Sequence, residues 1–110
     1  MSGSVHIGEL RTRLSLEVAS RTADGGGGAT LAWSEVASVW ARVTPRSGSE
    51  SYAQDRVSGS VTHEIVIRHR SGVTPDMRFS DGTRRFDIKA AFDADGRRHW
   101  LTCLVEERDL

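Results

Sequence analysis

The chain reads as an all-β fold, a small antiparallel β-barrel or sandwich with one long loop, and three observations carry that reading. Apolar and polar residues alternate in "LRTRLSLEV" (10–18) and again in "RFDIKAAFD" (85–93), the period of two expected of half-buried strands. Turn chemistry recurs between such runs, in "DGGGG", "SGVTPD", "SDGT" and "DADG". Residues 44–60, "TPRSGSESYAQDRVSGS", abandon the alternation altogether. About five or six strands joined by short turns leave a barrel or a sandwich as the natural architectures.

The first strand puts Leu10, Leu14, Leu16 and Val18 on one face and Arg11, Arg13, Ser15 and Glu17 on the other. "ADGGGGATLAW" follows at 23–33. A phosphate-cradling loop would need a Gly-Lys-Ser or Gly-Lys-Thr opening a helix, or a Gly-x-Gly-x-x-Gly between strand and helix. Neither is present, so the glycines read as a hairpin tip, where positive φ carries no steric cost. In "TLAWSEVASVWARV" the even spacing brings Leu31, Trp33, Val39, Ala41 and Val43 to one side. Trp33, Val36, Ala37 and Trp40 also fit a helical face, but the Val and Trp content favours an extended segment with a bulge near Ser34 and Glu35.

The long connection, 44–60, has Ser47 and Glu50 at capping-box spacing, a signal for a short helix over roughly 49–56. A loop of this length inside a small domain points to function. After it, "VTHEIVIRHR" places His63, Ile65, Ile67 and His69 on one face and Glu64, Val66, Arg68 and Arg70 on the other. A turn at "SGVTPD" leads to a short "MRFSDG" strand. The last hairpin is the clearest: Phe86, Ile88, Ala90 and Phe92 alternate inward, "DADG" makes a tight turn, and Leu101, Cys103 and Val105 return.

At 110 residues and 12.1 kDa, residues 1–110 form a single domain. Fifteen basic and fifteen acidic side chains cancel, which argues against a protein that holds nucleic acid by overall charge. No apolar run reaches membrane-spanning length, and "MSGSVHIGEL" lacks the basic and apolar regions of a signal peptide, so the chain is expected to be a soluble cytosolic product. The single cysteine, Cys103, alternates with core residues and reads as a small buried hydrophobe.

His63 and His69 lie six residues apart on a strand, about 20 Å at roughly 3.3 Å per residue, too far to share a metal. They read as structural histidines near the ends of a strand. No catalytic motif with a mechanism is present, and the expectation is a protein that is not an enzyme, with no catalytic residues, no cofactor and no metal. The arginine pairs Arg84–Arg85 and Arg97–Arg98, in "DGTRRF" and "DGRRHW", stand at turns and are candidates for a contact to DNA or a neighbouring subunit on one rim. Asp81, Asp87, Asp93 and Asp95 lie close in sequence, so an ordinary solvated rim is the favoured alternative.

Taken in order, "EVASVWARVTPRSGSESYAQDRVSGSVTHEIVIRHRSGVTPDMRF" and "RRFDIKAAFDADGRRHWLTCLVEE" resemble the phage head-tail joining family, the small head-closure or stopper proteins of long-tailed phages and gene transfer agents. The likeness covers nearly the whole chain, although "DGGGGAT" is richer in glycine than the family's usual turn. The resemblance implies a β-barrel subunit of a hexameric or dodecameric ring. That ring would sit between the portal or adaptor protein on the head side and a tail-terminator or tail protein on the other. It would help retain packaged DNA, touching it non-specifically, with no membrane partner. Localisation would be the host cytoplasm during assembly and then the head-tail interface of the particle. Arg46, Ser47, Gly48, Glu50, Tyr52 and Gln54 match the family's loop and are the expected joining element. Two alternatives remain: a small barrel that binds nucleic acid through the arginine-rich turns, or a neighbouring adaptor or tail-terminator protein of the same particle.

Overall fold

The alternating runs form six antiparallel strands: β1 (Thr12–Ala23), β2 (Ala29–Pro45), β3 (His63–Arg68), β4 (Met77–Ser80), β5 (Arg85–Phe92) and β6 (Trp100–Arg108). A single 3₁₀ turn, Ile7–Glu9, precedes them. The computed structural model describes residues 7–23, 25–46 and 61–108. The helix signal at 49–56 therefore lies outside the described residues.

In the order β1-β2-β3-β6-β5-β4 the sheet is closed, because β4 pairs back onto β1 from Ser15↔Ser80 to Val18↔Met77. Barrel is thus the answer to the barrel-or-sandwich alternative. The closing seam carries a cross-strand ion pair: Arg78 Nε donates to Glu17 Oε1 at 2.7 Å, and the guanidinium lies 4.0 Å from the centroid of Trp33. Opposite charges directly across a strand pair favour one register over its neighbours.

Inside, Leu14, Leu16, Ile65, Ile67, Phe79, Phe86, Ile88, Cys103 and Val105 form one buried cluster fed by every strand of the ring, with Ala41 from β2. Phe79 and Phe86 are its largest side chains. Truncating either would cost about 3–5 kcal/mol, a large part of a small domain's stability.

Two bulges change which residues face inward. Leu16 pairs with Ala37 but Glu17 with Glu35, so Val36 is an extra residue in β2. The expected bulge is real and sits one residue later than the sequence placed it. It reverses the alternation, so Leu31 and Trp33 lie on the outer face, opposite Val39, Ala41 and Val43, and not beside them as expected. In β5 the extra residue is Lys89, since Ile88 pairs with Val105 and Ala90 with Leu104. Ala91 consequently packs on the core in place of Ala90, and Phe92 is partly exposed. A period-2 pattern cannot carry a phase change of this kind.

Val66 also departs from expectation. The alternation assigns it to the polar face, yet it is buried, as are Thr102 beside it and Leu104 one step along. The outer side of β3 and β6 is covered as well as the inner one, which explains the unbroken "IVI" and "LTCLV" runs. Near this side, Glu9 of the 3₁₀ turn accepts a hydrogen bond from Arg42 of β2, the register partner of Val66, at 2.8 Å.

The β1–β2 hairpin outruns the barrel. Pairing with β4 ends at Val18 and pairing with β3 begins only at Ala41, so the turn at Gly25–Gly28 tips a two-stranded arm. The principal dimensions of 53 × 29 × 26 Å and a radius of gyration of 14.9 Å reflect it, against about 13 Å for a compact chain of this length. Gly25 and Gly27 take φ values of 84° and 90° at the tip, the conformations for which the glycine run was read.

Candidate assembly surfaces

The barrel has two dissimilar ends. The two bases of the β2–β3 connection and the β4–β5 turn share one, called here the loop end. The arm, the β3–β4 loop and the β5–β6 loop share the other, the arm end.

At the loop end the expected joining segment is anchored at its base. Pro45 pairs with His63, the Arg46 amide donates to the Thr62 carbonyl at 2.8 Å, and the Arg46 guanidinium pairs with Glu64. Ser47, Gly48, Glu50, Tyr52 and Gln54 lie outside the described residues. Thr62 ties this base to β6: its amide donates to Val105 O at 2.9 Å, and its hydroxyl accepts the Glu107 amide at 2.7 Å. Sequence reasoning missed Thr62, because its role depends on β3 lying beside β6.

His63 stands next to Thr62, its ring edge-on to Phe86 with centroids 5.3 Å apart. Burial lowers its pKa below 6.5, with Glu107 pulling upward and Arg84 downward. Arg84 in turn forms a two-point pair with Glu107, Nε to Oε2 at 2.8 Å and an amino group to Oε1 at 3.0 Å. The Arg84 side chain holds the Glu107 carboxyl below its ordinary range. Asp81 caps the adjoining turn by accepting the Arg84 and Thr83 amides at 2.6 and 2.9 Å. Thus the loop base, the β4–β5 turn and the end of β6 form one hydrogen-bonded platform.

The candidate arginines do not share a rim. Arg84 and Arg85 open β5 at the loop end, whereas Arg97 and Arg98 follow its far end, about 20 Å away along the strand. The expected tight turn at "DADG" is present, the Gly96 amide donating to Asp93 O at 3.2 Å, and it opens a longer connection over 93–99. Its carboxylates serve its own backbone: Asp93 accepts the Gly96 and Arg98 amides at 3.1 and 2.8 Å, and Asp95 the Arg97 amide at 3.0 Å. Arg98 is held at φ 61°, the sole non-glycine residue at positive φ among the described residues.

Here the register supplies what the sequence concealed. Arg68 pairs with Trp100 and the His69 amide donates to His99 O at 3.0 Å, so "RHR" at the end of β3 meets "RRHW" at the start of β6. Arg68, His69, Arg98, His99 and Trp100 line one depression of about 390 Å³. A neighbouring depression of about 490 Å³ runs from Arg68 and Arg70 to Trp40, which is 51% exposed. The recurrence of Arg and His in both segments was the available signal.

Cys103 is fully buried and its thiol is pushed up to about 12 by desolvation, so the thiolate a nucleophile needs is suppressed. Among the described residues no His, Cys, Asp or Glu group is placed to hold a metal ion. Among the described residues no helix is long and apolar enough to cross a membrane.

The model of the phage head completion protein family matches residues 5–108. The chain belongs to this family. Its fold is similar to that of a chain in the virion of a native gene transfer agent particle, at 38% identity and a TM-score of 0.67, covering 92% of this chain and 97% of that one. It is also similar to the solution structure of a protein from Shigella flexneri 2a, at 26% identity and a TM-score of 0.72, covering 94% and 96%. No curated protein matches the chain. The head completion family and the virion chain bear out the head-tail joining resemblance read from the ordered motifs, and with it a structural role in a phage-like particle.

Proposed function

We propose that this head completion protein is a subunit of the ring that joins the portal or adaptor of a phage-like particle to its tail and helps retain the packaged genome. The observation that carries the reading is the near end-to-end match to a chain of a gene transfer agent virion, together with the family match over residues 5–108. Partners would be further copies of itself, in six or twelve, a portal or adaptor protein and a tail or tail-terminator protein. A catalytic role is not part of this reading.

The two ends of the barrel suit such a part. A ring subunit needs different surfaces for successive neighbours, and this barrel offers a platform at one end and an arm at the other. Among the described residues the arm leaves one edge of β2 unpaired before Ala41, and Leu31 and Val36 are 52% and 47% exposed. Unpaired strand edges and exposed aliphatic side chains are the features that protein contacts cover.

In this reading the segment leaving the platform, with Arg46, Ser47, Gly48, Glu50, Tyr52 and Gln54, is the joining element. Deleting 48–54 tests it, since pairing at Pro45–His63 and Arg46–Thr62 holds the base. The expected outcome is a barrel with unchanged circular dichroism and urea midpoint that no longer supports tailed particles in electron micrographs. A normal yield of tailed, DNA-filled particles would overturn the role.

A further inference from the structure

We infer that the arm end of the barrel carries a binding site for the phosphate backbone of duplex DNA, built from Arg68, Arg70 and Arg98 around His69 and His99. The inference rests on the connector reading, in which packaged DNA is a neighbour, and assigns that contact to a surface.

The distribution of ion pairs is the first argument. The chain has no net charge, yet its cations are not evenly neutralised. Arg42, Arg46, Arg78, Arg84, Lys89 and Arg108 all pair with carboxylates, at or towards the loop end and along the barrel wall. Arg68, Arg70 and Arg98 form no ion pair among the described residues. Arg11, Arg13, Arg21, Arg85 and Arg97 form none either, but Arg68 and Arg98 line one depression and Arg68 and Arg70 the next, and the Nε of Arg70, like that of Arg42, is buried without a hydrogen-bond partner there. Asp93 and Asp95 are near, but against four arginines counting Arg97, and with their oxygens turned to backbone amides, they leave the patch positive.

Geometry is the second. The pairing Arg68↔Trp100 and the His69–His99 hydrogen bond fix the two basic segments side by side, so that Arg68, His69, Arg98 and His99 line one concave surface and Arg70 lines the adjoining one, which Arg68 and His69 share. Guanidinium groups on a fixed frame suit phosphate oxygens, which they bind through two parallel hydrogen bonds. The left-handed backbone at Arg98 is the third. Asn or Gly would adopt φ 61° more readily, and an arginine held there by Asp93 marks a position where the side chain outweighs local backbone preference. At the opposite end Arg84 is engaged by Glu107, which leaves Arg85 alone without an ion pair there.

Three phosphate contacts predict a salt slope of about −2.7 in log–log form, or roughly 40-fold weaker binding between about 50 and 200 mM salt. The test is fluorescence anisotropy of a short mixed-sequence duplex titrated with the full-length protein over that range. Arg68→Gln, Arg70→Gln and Arg98→Gly should each lower the slope by about one, and the triple variant should bind with almost no salt dependence. Glycine at 98 suits the backbone, so that variant keeps its fold. Arg84→Gln at the far end should leave the slope unchanged. Equal slopes for wild type and triple variant overturn the inference, as does a triple variant that binds DNA normally but no longer captures an acidic protein of the particle. Tailed particles formed by the triple variant but emptied of DNA would support it. Tailed, full particles with an unaltered slope would sink it while leaving the connector reading intact.

Discussion

Replacing Thr62 by valine removes one hydroxyl, almost without change of shape, from the point where the loop base meets β6. That hydroxyl accepts the Glu107 amide at 2.7 Å and lies 2.9 Å from His63 Nδ1. The Thr62 amide bond to Val105 O, at 2.9 Å, survives the change. A neutral hydrogen bond contributes about 0.5–1.5 kcal/mol, and leaving a partly buried amide unsatisfied costs about 1–3 kcal/mol. Thr62 is half-buried, so water replaces part of what is lost and the net cost is about 1–2 kcal/mol. For a domain of this size that lowers Tm by roughly 5–10 °C. Urea unfolding followed by tryptophan fluorescence measures the loss, and hydrogen exchange at the Glu107 amide locates it. Thr62→Ser should recover most of the stability. A Thr62→Val protein as stable as wild type, with the Glu107 amide still protected, would refute the claim that this hydroxyl anchors the platform.

Two further outcomes follow from the titrating groups. Burial lowers the folded pKa of His63 below 6.5, so as pH falls the unfolded chain takes up that proton first. Its stability contribution is complete above 6.5, declines as pH drops through 6.5 towards the folded value, and is constant below it; His63→Asn should flatten this segment of a urea-midpoint profile. Asp81, lowered chiefly by the Arg84 amide, and Glu107, lowered chiefly by the Arg84 side chain, contribute stability that is complete above their ordinary values of 3.8 and 4.5 and is lost as pH falls below them. Cys103, buried with its pKa near 12, should react with a thiol reagent at the rate of global unfolding, and fast labelling of the native protein would contradict its position in the core.

The strand-rich fold was legible because a period of two and glycine-bearing turns are local properties. The hairpin reading of the glycine run, the burial of Cys103 and the strand-end histidines follow from neighbours in the sequence alone. The ordered motifs were also enough for the family, since their combination is more specific than any one of them. Ring closure was not legible: Ser15 and Ser80 meet only because twist carries β4 around to β1. Nor were the phase changes at Val36 and Lys89, which moved Trp33, Ala90 and Phe92 to the outer face.

The amino-acid order by itself determined the strands, the turns and the kinship of this protein, because each depends on residues a few positions apart. The tertiary structure alone decided which charges remain unpaired. It parted Arg84 from Arg98 by the length of β5 and set Arg68 opposite Trp100 and His69 against His99, and pairing of charges is set by distance in space, to which sequence separation is a poor guide.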